Sequence, residues 1–443
     1  MLLRKISAIM LILSILCGLC GCDIFTAETE QMLAPPAIVG DMKPISDALA
    51  ASVKGEYKLV YPVNGSHRSP VVLNDIDGDN VFEAFAFYLQ NDGEMDCIHL
   101  NVISKRGKKW VSVFDQKVQA GSVDSVDFSD LNADGVLEII VGWSVYASSE
   151  KQLAVYSLSQ GVLSQRFIHE YAGFVSCDLD GDQQNELFIH RFDAVSKRNE
   201  AYLYKFEEEG VLELSRCNLD KNARTAMLPV LSCLSNGKPA IYINETKDAG
   251  VITEVIFYNN NALQNPLLEG ESFENIKTLC AAAVPAVDID GDSIIEIPVS
   301  QIMAASEGVA GAEKVYYTNW CTYDGVTLKI KKTTLLNTAE GYYLEVPQKW
   351  VGKIGLVRDV ENRSRTICEY NKETNTLGQA LVYFVAVPLD KWQDYEEKNK
   401  ATKEISRNTE YVYAARIFDN TSPIKITEKE FREIFFLYNG VVK

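Results

Sequence analysis

From residue 57 to about residue 336 the chain reads as short β-branched or aromatic runs broken by Asp, Asn and Gly, as in "IHLNVISKRGKKWVSVF" and "AYLYKFEEEGVLELS". That texture predicts hairpins of antiparallel strands. Ahead of it, Pro44 can open a short helix whose Ile45, Leu49 and Val53 fall at i, i+4 and i+8, with Gly55 to close it. Behind it, "GYYLEVPQKWVGKIGLVRD" and "ALVYFVAVPL" predict further strands and "DKWQDYEEKNK" a surface helix. A last helix is marked by a Thr427–Glu430 capping box and a stop at Asn439-Gly440. Residues 337–443 are therefore expected to form a separate small α+β domain.

The pattern also repeats. "DIDGDNVFE" begins at Asp75, "DLNADGVLE" at Asp130, "DLDGDQQNE" at Asp178 and "DIDGDSIIE" at Asp288, and each runs straight into an apolar stretch. The first two steps are 55 and 48 residues and the last is 110, which predicts one further copy inside the gap. "SCLSNGKPAIYI", from Ser232, fits there, with Ile241, Tyr242 and Ile243 in the strand place and the carboxylates gone. Five units of this length, each with room for about four strands, match the blade of a β-propeller. The expected fold is mainly β, a propeller over residues 56–336 with five to seven blades, followed by the α+β domain.

Each loop carries only hard oxygen donors. In the third copy these are Asp178, Asp180, Asp182 and Glu186, with the main-chain carbonyl of Gln184 able to join them. The corresponding sets are Asp75, Asp77, Asp79, Val81 and Glu83; Asp130, Asn132, Asp134, Val136 and Glu138; and Asp288, Asp290, Asp292, Ile294 and Glu296. Calcium accepts six to eight oxygens in flexible geometry and suits such a cage better than magnesium, which keeps its waters. Transition metals would favour His or Cys, and neither recurs in the loop. An EF-hand also begins D-x-D-x-D, but it needs an acid at place 12, where this chain has Ala86, Val141, Ile189 and Val299. The bland alternative is an acidic hairpin turn that merely solvates a surface. Four copies with acids at places 1, 5 and 9 favour about four structural calcium ions.

Composition narrows the partners. A net charge of −18 over 443 residues opposes nucleic acid and anionic headgroups, both of which require basic surface. The first residues read as an export signal: Arg4 and Lys5, an apolar run over 6–16, then "LCGC". That ending resembles the lipobox of bacterial lipoproteins, which implies a signal peptide over 1–21 and lipidation at Cys22. The apolar run is short for a bilayer span of roughly 20 residues. Residues 22–55 then supply a polar tether with Pro35-Pro36 and the short helix. Seven further cysteines, at 97, 177, 217, 233, 280, 321 and 368, form no C-x-x-C pair and read as small core residues.

The loops with their following strands resemble the FG-GAP/VCBS repeats of calcium-binding β-propellers, found in integrin α-subunit heads and in many bacterial surface proteins. The lipobox, "LAPP" at Leu33, "KLVYPVNGSHRSPVVLNDIDGD" at Lys58 and "GYYLEVPQKW" at Gly341 are similar more narrowly to clostridial surface lipoproteins with such repeats. The resemblance implies calcium, a fold and a cell-surface location on a Gram-positive-type membrane, without an activity.

No G-x-S-x-G, H-E-x-x-H or phosphate-binding glycine loop is present, and His67, His99, His169 and His190 form no close-spaced motif. "KRGKKW" reads as a solvated turn and Trp143 as core. The expected role is a binding module for an extracellular protein or glycan. The rival is a propeller-based lyase or hydrolase acting on an extracellular polymer.

Overall fold

The computed structural model describes residues 42–91, 96–146, 150–159, 162–309 and 311–440. The lipobox, Cys22 and the tether lie outside the described residues. The described residues are mainly β, in six antiparallel sheets. The third shows the plan: Gly173–Cys177, Glu186–Asp193, Arg198–Glu207 and Gly210–Asn218 pair in chain order as a meander. The 178–185 loop joins its first two strands, and the equivalent connections in the first and second sheets hold the loops that begin at Asp75 and Asp130. "KRGKKW" is the hairpin between Asp96–Arg106 and Lys109–Val118, turning at Gly107 with φ 64°.

Why the strands after the loops are continuous apolar runs, not alternating ones, follows from how the sheets pack. In Glu138–Val145, Ile139, Val141 and Trp143 join Phe85, Phe87 and Leu100 of the first sheet, whereas Ile140 turns the other way onto Leu187 and Ile189 of the third. Phe188 in turn meets Ile241 and Ile243 of the fourth sheet, and Tyr242 meets Ile297 of the fifth. Each interior sheet is thus buried on both faces, so neither set of alternate residues is free to be polar. The core is a series of layers between successive sheets, each layer built from both neighbours.

The two outermost faces are covered by helices. Lys43–Ser52, opened by its proline, lays Ile45 and Leu49 on Ala84, Ala86 and Tyr88 of the first sheet, where the alanines leave room for it. At the other end Trp392 and Tyr395, from Trp392–Lys398, pack on Val385, Val387 and Ala414 of the sixth sheet. No core cluster among the described residues joins the first sheet to the sixth.

The tail departs from the expected boundary at residue 337. Leu328–Asn337 and Tyr342–Glu345 are the third and fourth strands of the fifth sheet, and Phe435–Leu437, near the C-terminus, adds a fifth beside them. The capping box forms as expected, with both Thr427 and Glu430 bonded reciprocally. The helix ends at Ile434, earlier than the Asn439-Gly440 stop, because Phe435 and Phe436 are taken into the sheet, where Tyr343 stacks on Phe436 at 5.1 Å. Residues 354–417 make the sixth sheet, which packs on the fifth through Tyr342, Ile367, Phe384 and Tyr413. The tail therefore shares both a sheet and a core with the repeat that begins at Asp288.

Candidate metal centres

All four acidic loops have the same backbone. Places 4 and 6 are left-handed in every copy: Gly78 and Asn80, Ala133 and Gly135, Gly181 and Gln183, Gly291 and Ser293, with φ between 58° and 88°. Few residues other than glycine and asparagine sit there without cost, so Ala133, Gln183 and Ser293 are held against their preference. What holds them is a fixed set of hydrogen bonds. The place-1 aspartate accepts the place-6 N–H in each loop, at 2.9, 3.0, 3.0 and 2.8 Å. The place-5 aspartate accepts the place-7 N–H of Val81, Val136, Gln184 or Ile294, at 2.7–2.9 Å. The place-9 glutamate stands at or one residue before the start of the next strand and reaches back to the place-2 N–H: Glu83 to Ile76 at 3.3 Å, Glu138 to Leu131 at 2.8 Å, Glu186 to Leu179 at 2.9 Å and Glu296 to Ile289 at 3.0 Å. Place 2 is a buried Ile or Leu in all four copies, which pins the loop to the core.

Carboxylate oxygens converge to within 4.8 Å of one another in three loops: Asp75, Asp77 and Glu83; Asp178, Asp180, Asp182 and Glu186; Asp288, Asp290 and Glu296. Asp79 and Asp292 stand outside that limit in their loops. The second loop is drawn together differently, by the Asn132 amide, whose nitrogen lies 3.1 Å from Asp134 and 3.3 Å from Glu138. An amide turned end for end would present its oxygen at the same place.

Crowding shows in the acidity. Burial, reinforced by the neighbouring aspartates, raises Glu83 to about 7, and it does the same for Glu186. Burial also raises Glu138 and Glu296. A second observation points to a cation. Asp75 Oδ1, Asp130 Oδ1 and Glu186 Oε1 are buried oxygens with no hydrogen-bond donor. A buried anionic oxygen left without a donor is costly, and a hard divalent ion would satisfy it. The donor set therefore fits calcium.

Two lysines, which the motif gives no reason to expect, enter this picture. Lys205 pairs closely with Asp182 and stands 3.9 Å from Asp180 and 4.0 Å from Glu186. Lys331 sits 2.6 Å from Asp290 and 2.8 Å from both Asp292 and Glu296. Continuing each ladder by one residue sets Ser104, Ser157, Lys205 and Thr322 in turn across from the place-9 glutamate, so Lys205 owes its place to strand register. Lys331 comes from a more distant strand, so no fixed offset reveals it.

The fifth copy differs in its loop. Ser232 pairs with Ala240 and Cys233 with Pro239 in the ladder, so only residues 234–238 lie between the strands. This loop is shorter than the 178–185 loop, and Ser232 lies in a strand instead of at a ligand place, as the expected alignment had it. Its hydroxyl donates to the Ser293 carbonyl at 2.8 Å, and the Asn236 amide to the Asp324 carbonyl at 3.0 Å. Gly237, at φ 84°, makes the turn.

The loops form a connected row. Leu137 N–H donates to the Ile76 carbonyl at 2.7 Å, tying the second loop to the first. The Gln184 amide donates to the Leu131 carbonyl at 2.7 Å, tying the third to the second.

No family model matches the chain, and the search of curated proteins finds no match. Among solved structures, a rhamnogalacturonan lyase from Bacillus licheniformis is similar at 11% identity and TM-score 0.31, over 74% of this chain and 77% of its own. A protein from Lactobacillus plantarum is similar at 12% and 0.29, over 72% and 85%. An exo-beta-1,3-galactanase from Clostridium thermocellum is similar at 11% and 0.25, over 82% and 86%. Likeness at these scores assigns this chain neither a fold nor an activity.

Away from the loops, a cavity of about 170 Å³ lies where the first strands of the second and third sheets meet the 228–229 segment. Its one buried acid, Asp124, is held by Lys151 at 2.6 Å, the Tyr171 hydroxyl at 2.5 Å and the Asn64 amide at 2.8 Å. Burial would raise this group, but the three donors outweigh it and keep Asp124 ionised. Gly142 makes the arrangement possible, since a Cβ there would collide with the Tyr171 hydroxyl. A larger cavity of about 330 Å³ between the fifth and sixth sheets is lined by Lys314, Arg358 and Arg365, the last paired with Glu340 at 2.5 Å. Trp143 is buried in the core. His190 is fully buried against Asn199 at 2.8 Å, and burial lowers it to about 4, so it is a neutral core residue.

Proposed function

We propose that this chain is an exported, lipid-anchored, calcium-binding protein of propeller type, in which sheets joined by acidic loops form a rigid module for binding an extracellular protein or glycan. The observation that carries this reading is the backbone shared by four loops, with carboxylates converging in three of them and a donorless buried oxygen in the first three. The ions are structural. They neutralise carboxylates that burial has already pushed toward protonation, and so lock loops that link neighbouring sheets. Among the described residues, helices cover the outer faces of the first and last sheets. The FG-GAP/VCBS resemblance supports calcium and the propeller-type repeat, and the lipobox at Cys22 supports anchoring to the outer face of the membrane.

A binding role is favoured over the lyase or hydrolase alternative by the state of the cavities. Asp124 is already engaged by the Lys151 ammonium and two neutral donors, and in the larger cavity Arg365 is already paired with Glu340 at 2.5 Å. Capture of cell-wall polymers and envelope proteins by the purified chain, with and without calcium, tests the role. Calcium-dependent retention of one polymer or protein is expected, and release of shortened or unsaturated polymer fragments would favour the enzyme. Cys22→Ser should release the chain from the membrane fraction, and unchanged partitioning would refute the anchor.

A further inference from the structure

We propose that the fourth loop, residues 288–296, is closed by the chain's own ammonium, so that Lys331 does for this repeat what a divalent ion does for the first. The proposal rests on reading the acidic loops as metal loops, and it goes beyond that reading by removing one of them from the set.

The contacts are those of a resident cation. An ammonium has three donors, and Lys331 spends them on three carboxylates, Asp290 at 2.6 Å and Asp292 and Glu296 at 2.8 Å each. The remaining carboxylate, Asp288, is served by main-chain N–H groups of Gly291 at 2.7 Å, Ser293 at 2.8 Å and Asp290 at 3.2 Å. Glu296 is fully buried, so its charge is expensive without a cation, and Lys331 supplies one beside the Ile289 N–H. The lysine is tethered within Leu328–Asn337, a strand of the same sheet, so its effective concentration at the loop is high without any free ligand. A calcium ion entering here would break three charge-assisted hydrogen bonds and would stand a few ångströms from a like charge unless the side chain swung out.

The other loops give the contrast. No ion pair reaches Asp75, Asp77, Asp79 or Glu83 among the described residues, and Asp75 Oδ1 has no donor. In the third loop Lys205 engages Asp182 on the rim and stands off at 3.9–4.0 Å from Asp180 and Glu186, leaving Glu186 Oε1 without a donor. Lys205 thus partly compensates a loop that still has room for an ion, whereas Lys331 fills its loop.

Hydrogen exchange of the full chain in detergent, in chelator and in millimolar calcium, reads each loop separately. In chelator the 288–296 amides should exchange at least about tenfold more slowly than those of 75–83. Lys331→Met should abolish that protection in chelator, and calcium should then restore it. Lys331→Arg should keep it in part. The proposal is overturned if the wild-type 288–296 amides exchange in chelator as fast as those of 75–83, or if Lys331→Met leaves their protection unchanged. If 75–83 stays indifferent to calcium while 288–296 is protected only with Lys331 present, the metal reading fails and the lysine closure stands.

Discussion

The first and fourth loops have one backbone and two solutions to the same charge problem. Both turn left-handed at places 4 and 6, both bury an isoleucine at place 2, and both send a buried glutamate back to its N–H. In the fourth, Lys331 stands among the carboxylates, and in the first no side-chain cation among the described residues reaches them. Loop geometry is therefore local, written in nine residues, while charge compensation is tertiary and can be supplied by a strand or by solvent. Repeats that look equivalent in sequence need not be equivalent in what they bind.

The largest effect should come from breaking the fourth loop. Lys331→Met leaves Glu296 buried and unpaired, and should cost about 2–3 kcal/mol in chelator. Adding Glu296→Gln should recover part of that loss. Denaturant unfolding of the single and double variants checks both outcomes, and equal stability of wild type and Lys331→Met would erase the contrast between the loops.

Next in size is the effect of calcium on the first loop. An extracellular-type affinity, on the order of 10⁻⁴ to 10⁻³ M, gives about 1.4–2.7 kcal/mol of stabilisation at roughly 10 mM ion. Asp77→Asn should remove the share due to that loop, and Asp290→Asn should not, so the two variants separate in a calcium melting series. Identical loss from both would place calcium in both loops.

Acidity sharpens the comparison further. In the metal-free folded chain Glu83 keeps its proton to about pH 7, whereas the unfolded chain gives it up near 4.5. Between these values the folded state binds more protons, so stability falls as pH rises from about 4.5 to about 7. Glu186 contributes with the same sign. Glu83→Gln should flatten that slope in chelator, as should saturating calcium, which favours the ionised carboxylate. A slope of the opposite sign would mean the first loop already has a cation.

The smallest effect is expected at the fifth copy. Ser232→Asp with Asn236→Asp restores two acids, yet the 234–238 turn is too short to bring them together, so the change should stay within about 0.5 kcal/mol with no calcium response.

Much of this was legible in the chain itself. The carboxylate spacing announced the loops and the apolar runs behind them announced strands, while their burial on both faces shows only in the packing, where Ile139 and Ile140 each find a different sheet. The N-terminal helix was legible from Pro44, Ile45 and Leu49. What was not legible depends on contacts between segments far apart in sequence. Phe435 and Phe436 look helical after Thr427 until Tyr343 is seen beside them. The register of Ser232 is fixed by its partner Ala240, eight residues on, and a fixed-length alignment cannot reveal the shortened turn. Lys331 lies in "LKIKKTT", an exposed-looking strand where any of three lysines could have faced the loop.

Counting bound ions tests the central claim most directly. Native mass spectrometry of the full chain released from detergent in calcium should show up to three ions, one for each of the first three loops, and a further ion on Lys331→Met. A wild-type chain that carries no calcium, or a fourth ion lost on Asp290→Asn, would contradict it.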